Sequence, residues 1–178
     1  MSGNGRELPI IIDLEASGFG RGSYPIEIGV ALPNGELHAW LLKPLAEWVH
    51  WDEGAERVHG ISRQRLEREG MAPRTVARTL NSLLEGKTVY TDGWGVDSTW
   101  LSLLFHETDV LQRFRLESVF SLLDQDGMDR WAATRDRVLL ETSLVPHRAG
   151  TDALIVQTTY RFLSVPPDSR DRCDSYVA

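Results

Sequence analysis

An α/β fold built on a mixed sheet is the class this sequence predicts, and three observations predict it. The chain opens with three strand-like runs, the second and third joined by a turn at Asn34-Gly35. From about residue 53 onward, amphipathic helical segments alternate with short β-branched runs. No repeat and no linker interrupts residues 8 to 163, so these elements are expected to share one core.

The first strand is Pro9-Ile10-Ile11-Ile12-Asp13-Leu14-Glu15-Ala16-Ser17-Gly18, a β-branched run that ends in two acids one residue apart. Side chains alternate along a strand, so Asp13 and Glu15 leave one face and Leu14 the other. Two carboxylates at the end of a buried strand repel each other, and the commonest compensator is a divalent cation with oxygen ligands. The plainer reading is a pair of solvated strand-end residues or helix caps. Phe19 to Ser23 is a glycine-rich loop, and Pro25 to Leu32 restarts a strand pattern. Asn34-Gly35 suits the positive φ of a hairpin turn, which returns Glu36 to Leu42 as an antiparallel partner. Pro44 ends that strand, Trp48-Val49-His50-Trp51 clusters aromatic rings, and Glu53 to Val58 reads as a short helical turn.

Ser62 is placed to cap a helix that runs to Glu69 and stops at Gly70. Pro73 opens the next helix, with Val76, Leu80, Leu83 and Leu84 at helical spacing before Gly86. Thr88 to Thr91 reads as a strand, and Asp97 to His106 as a helix with Asp97 a candidate N-cap. Phe114 to Val119 is expected to be a strand leading into a helix that carries Leu122 and Leu123. Asp129 to Leu140 reads as helical. The last helix, from about Gly150 to Leu163, buries Ala153, Ile155, Val156, Thr159, Tyr160 and Leu163.

A length of 178 residues suits one domain, with its core in about 8–163 and a proline-rich, charged tail over 164–178 expected to be loosely held. No apolar run approaches a membrane span and the first residues lack the apolar core of a signal peptide, so no membrane partner and a cytoplasmic location are expected. The one cysteine, Cys173, excludes an internal disulfide and a cysteine-based metal site. A net charge of -7 argues against a large electrostatic footprint on duplex nucleic acid. It leaves room for a partner gripped at one end through metal ions, since acids that ligate metal are neutralised in the working site.

Two later stretches echo the opening acids. In Thr91-Asp92-Gly93-Trp94-Gly95-Val96-Asp97-Ser98-Thr99-Trp100-Leu101 an acid lies between a strand and an amphipathic helix. In His147-Arg148-Ala149-Gly150-Thr151-Asp152-Ala153 a histidine precedes an acid by five residues at the start of the final helix. Taken together, the pattern resembles the DEDDh superfamily of 3′-to-5′ exonucleases. Asp13 and Glu15 match its Asp-x-Glu strand, Asp97-Ser98-Thr99-Trp100-Leu101 its Asp-x-x-aromatic-Leu helix, and His147 to Asp152 its His-x-Ala-x-x-Asp closing motif. Val58-His59-Gly60-Ile61-Ser62 looks like the family's His-Gly-Ile-(Thr/Ser) segment. A tyrosine branch of the family would need Tyr close before Asp152, where this chain has Arg148 to Thr151.

The resemblance implies a ribonuclease-H-like fold, a five-stranded mixed sheet flanked by helices with the acids at one end. It also implies two Mg²⁺ or Mn²⁺ ions, roughly 3.5–4 Å apart, held by Asp13, Glu15, Asp97 and Asp152. Asp13 would bridge both ions, Glu15 and Asp152 would hold the nucleophile-side ion, and Asp97 would act on the second. His147 would take the proton from the attacking water. The implied substrate is the 3′ end of single-stranded DNA or RNA, released as nucleoside 5′-monophosphates. The alternatives are an endonuclease on the same fold and a catalytically weak polynucleotide-binding or polymerase-associated module. A homodimer is an expectation carried by relatives of this size, without a surface stripe in the sequence to argue it. Ala16 stands where the family usually has threonine, so a contact to the terminal nucleotide is either missing or supplied by Ser17. Thr91-Asp92-Gly93-Trp94 departs from the family's His-Asn-Ala opening. Trp94, Phe19 and Trp51 offer faces for stacking a base, although a core position is the simpler expectation for each. Arg148 is expected either to meet a phosphate or to be solvated, Glu27 to be structural, and His59 to lie near the site.

Overall fold

The structure is a computed structural model that describes residues 7–164. Its sheet has five strands in the order β3-β2-β1-β4-β5. The strands β1 (Ile10–Ala16), β2 (Pro25–Ala31) and β3 (Leu37–Leu41) form an antiparallel meander, and β4 (Thr88–Thr91) and β5 (Arg115–Ser118) run parallel to β1. The helices are α1 (Glu53–His59), α2 (Arg63–Glu69), α3 (Pro73–Leu84), α4 (Trp94–Glu107), α5 (Gln125–Thr142) and α6 (Ala149–Ser164). This is the ribonuclease-H-like α/β architecture.

The alternation in β1 divides the core. Ile10, Ile12, Leu14 and Ala16 join a large cluster that includes Ile61, Leu66, Leu80 and Leu104 from the helical side of the chain between β3 and β5. Ile11 faces the other way, into a smaller cluster with Val119, Trp131, Ala153, Val156 and Tyr160. Burying a side chain such as Ile11 or Ile12, both 0% exposed, contributes about 1.5–3 kcal/mol. Asp13 and Glu15 continue the Ile11 face, where α6 begins. The hairpin forms as expected: Gly35 has φ of 90°, and Leu32 and Glu36 close the turn with a 2.9 Å backbone bond.

Three elements differ from the sequence expectation, two of them because of a side-chain cap. Helix α4 begins at Trp94, with Gly93 at its N-cap, so Asp97 is not a cap but belongs to the first turn of the helix. The run after β5 is a single 3₁₀ turn, Val119–Leu122, with the Ser118 hydroxyl accepting the Phe120 N–H at 3.3 Å. Helix α5 starts four residues early because Asp124 caps it, accepting the Gly127 N–H at 2.8 Å. Ser164 belongs to α6, whereas Cys173 and the rest of the tail lie outside the described residues. Among the described residues, no helix is long and apolar enough to cross a membrane.

One close contact positions the site. A methyl group at Gly29 would lie 2.1 Å from the Ala149 carbonyl carbon and 2.2 Å from the Gly150 nitrogen. Glycine therefore lets the first turn of α6 rest directly on the backbone of β2.

Candidate functional site

The acids of β1 meet the start of α6. Asp13 stands opposite Gly29 in the β1–β2 ladder, and Glu15 opposite Glu27. With the first turn of α6 seated on Gly29, Asp152 comes beside them, and one ligand oxygen from each of Asp13, Glu15 and Asp152 lies within 4.8 Å of the others. Asp152 Oδ2 accepts the backbone N–H groups of His147 at 2.7 Å and Arg148 at 3.2 Å. Its Oδ1 is buried and has no hydrogen-bond partner among the described residues.

Electrostatics marks the same place. Burial raises the Asp13 carboxyl well above the usual range, reinforced by Asp97, Asp152, Glu15 and Asp92. Burial and then Asp152 push Glu15 up to about 7, against a lowering pull from Arg148. Asp152 is raised by burial in spite of its two backbone donors. Burial and like-charged neighbours push carboxylates this way, and a cation held among them would act in the opposite direction. A set of hard oxygen donors, one of them buried and without a partner, fits a small divalent cation of the Mg²⁺ or Mn²⁺ kind.

Asp97 stands slightly apart. It is 3% exposed, accepts a hydrogen bond from the Thr91 hydroxyl, and is not one of the three clustered ligands. Burial, opposed by the Thr91 bond, raises it to about 7, and its charge acts on Asp13. Asp92 is partly buried and also raised, chiefly by burial, while Arg135 pulls it down. His147 is exposed, in the loop before α6, with φ of 73°. Together with Asp13, Glu15 and Asp97 it lines a cleft of about 540 Å³, whose other wall is apolar and includes Leu14, Ala16, Phe19, Val58 and Trp100.

The remaining sequence candidates fall as follows. Glu27 is 2% exposed and accepts a forked ion pair from Arg148. Arg148 is thus paired through Nε and Nη2, while its side chain stays 39% exposed. Ser17 is 1% exposed, its hydroxyl accepting the Tyr24 N–H at 3.1 Å and bonding His50 Nδ1 at 3.0 Å, so it does not replace the missing threonine in the cleft. Phe19 and Trp94 are 73% and 49% exposed, which overturns the core reading for both. Trp51 packs partly buried against the core, its indole N–H on Glu56 at 2.7 Å. His59 is buried along the cleft, and its Nδ1 accepts the Ile61 N–H at 3.0 Å. Sequence reasoning missed Thr91 as the partner of Asp97 and Asp52, the α1 cap, as a cleft residue. A threonine ending a strand six residues before a buried acid is the only local signal for the first.

No family model and no curated protein sequence matches the chain. Solved structures do. E. coli exonuclease I in complex with a dA16 oligonucleotide superposes with a TM-score of 0.67 at 11% identity, over 89% of this chain and 41% of that one. The zinc-bound complex of the E. coli enzyme with single-stranded DNA gives 0.64 at 13% identity, over 85% and 39%. A moderately thermophilic exonuclease I from Methylocaldum szegediense gives 0.66 at 14% identity, over 86% and 39%. This chain thus spans about two fifths of the length of each of these proteins. The likeness in fold to exonuclease I, with an acid cluster at the end of β1, agrees with what the DEDDh resemblance implies for the architecture.

Proposed function

We propose that this chain is a metal-dependent exonuclease that removes nucleotides from the 3′ end of single-stranded nucleic acid as nucleoside 5′-monophosphates. The observation that carries the reading is the convergence of Asp13, Glu15 and Asp152, with the unpartnered Asp152 Oδ1, beside a half-apolar cleft. Asp13, Glu15 and Asp152 would hold Mg²⁺ or Mn²⁺, and Asp97 would add its charge from α4. Such ions neutralise the crowded carboxylates, acidify bound water and steady negative charge on a departing 3′-oxygen. His147, exposed at the cleft, takes the proton from the attacking water. The apolar wall receives a nucleoside, and the exposed ring of Phe19, 5.9 Å from Trp100 between centroids, offers a face for stacking. The exonuclease I structures solved with single-stranded oligonucleotides support the choice of substrate class.

The runner-up is a polynucleotide-binding module with weak or no turnover. The observation in its favour is Asp97, whose carboxylate is engaged by Thr91 and sits outside the clustered ligands. A 5′-labelled single strand incubated with Mn²⁺ separates the two. A ladder from the 3′ end supports the exonuclease, internal cuts indicate an endonuclease, and binding without loss indicates the module. A 3′-phosphate is expected to slow the ladder and a 5′-block to leave it unchanged; the reverse would overturn the assigned direction.

A further inference from the structure

We infer that the Glu27–Arg148 ion pair is a positioning device for His147, holding the turn that brings the imidazole to the acid cluster. The inference rests on the nuclease reading, in which His147 moves a proton. His147 adopts a left-handed backbone with φ of 73°, which is strained for a non-glycine residue, so the turn must be held by its surroundings. Two carboxylates hold it through three successive N–H groups. Asp152 Oδ2 takes those of His147 and Arg148, at 2.7 and 3.2 Å, and Glu27 Oε2 takes that of Ala149 at 3.0 Å. The Arg148 side chain then returns to the same Glu27. Its Nε lies 2.9 Å from Oε2 and 3.2 Å from Oε1, and its Nη2 lies 2.5 Å from Oε1.

Glu27 is an immobile anchor. It lies in β2, which is buried along its whole length, and is itself 2% exposed. The planar guanidinium fork gives the pair a fixed geometry that a single-point contact lacks. Arg148 is thereby moored to the sheet at a distance of 121 residues in sequence, and the residue before it has its backbone direction set. The two side chains make no hydrogen bond to a clustered ligand atom or to the imidazole; their opposite charges act in opposite directions on Glu15, and their hold on His147 runs through the turn.

The test uses Glu27→Gln, which keeps an acceptor for the Ala149 N–H but removes the charge, and Arg148→Lys, which keeps the charge but removes the fork. Each is expected to lower the single-turnover cleavage rate about 10–100-fold, the usual effect of losing a residue that supports a metal site from behind. The Mn²⁺ titration should stay close to wild type, and the amide protons of residues 147–149 should exchange faster. The decisive measurement is the combination with His147→Ala: Glu27→Gln should slow that variant no further. An equal slowing in both backgrounds, or unchanged amide exchange, would overturn the inference and leave the pair a support of the fold or a substrate contact. Arg148→Lys carries the same comparison should Glu27→Gln fail to fold, as judged by circular dichroism. If the wild type cleaves no strand, the nuclease reading fails, while amide exchange still decides whether the pair holds the turn.

Discussion

Glu27 and Glu15 face each other across one rung of the β1–β2 ladder, yet the chain treats them in opposite ways. Glu27 is fully inside and satisfied: an arginine fork and a backbone N–H occupy its two oxygens. Glu15, with Asp13 and Asp152 beside it, is crowded by other acids and pushed toward the neutral form. An unpaired buried charge is costly, so a fold that only needed stability would have answered both in the same way. The difference shows that burial of a carboxylate says little by itself. What the chain supplies opposite to it separates a structural acid from one left open to an external cation.

The comparison can be broken most forcefully at Asp13. Asp13→Asn should abolish turnover while raising the thermal midpoint of the metal-free protein, since it removes one of several mutually repelling anions. Glu27→Gln should lower that midpoint, since it removes the charge that Arg148 is paired with. Melting both variants in EDTA and finding the same sign of shift would erase the distinction. Next in size is His147→Ala, expected to lose roughly 10²–10⁴-fold in turnover, the worth of a positioned base, with Mn²⁺ binding almost intact. Single-turnover cleavage at near wild-type rate would remove His147 from the chemistry.

A smaller effect is expected from pH alone. Glu15 and Asp97 have folded-state values near 7, above their ordinary 4.5 and 3.8, so the folded protein holds protons that the unfolded chain has already released. The contribution of these two groups to metal-free stability should therefore be greatest below about pH 4, fall as pH rises to 7, and level off beyond. Denaturant titrations with EDTA across that range would show the fall, and saturating Mg²⁺ should flatten it; a stability that climbed with pH would contradict the frustrated cluster. The smallest effect belongs to Asp92→Asn, which should cost only a few-fold in rate, because the charge at Asp92 is already opposed by Arg135. A loss equal to that of Asp97→Asn, with both proteins folded, would show the α4 acid to be wrongly assigned.

Much of the architecture was legible because it is written locally. The alternation around Asp13, the Asn34-Gly35 turn and the Ser62 cap each act within a few residues, and the structure places strands, hairpin and α2 where those signals fall. The acids of the candidate site were visible for the same reason, as pairs and motifs close together in sequence. The partners of those acids were not. The Arg148 fork on Glu27 and the seat of Asp152 depend on sheet register and on a helix packing across residues more than a hundred positions away. Exposure of Phe19 and Trp94 was likewise unreadable, since an aromatic residue in a glycine-rich loop looks the same whether the loop folds inward or out. The early start of α5 has a simpler cause: Asp124 caps it ahead of the apolar pattern.

The contact between Gly29 and the first turn of α6 bears on which ion the site accepts. Because two backbones touch there with no room for a methyl group, the distance from Asp152 to the β1 acids is governed by main chain and not by adaptable side chains. Mg²⁺ demands short, near-ideal octahedral contacts, whereas Ca²⁺ tolerates longer and looser ones. On the proposed metal-binding reading, position 29 would act as a spacer for ionic radius. Gly29→Ala is expected to push α6 away from the sheet and, on that reading, to raise Ca²⁺ affinity relative to Mg²⁺ in paired titrations; an unchanged ratio would remove the spacer role.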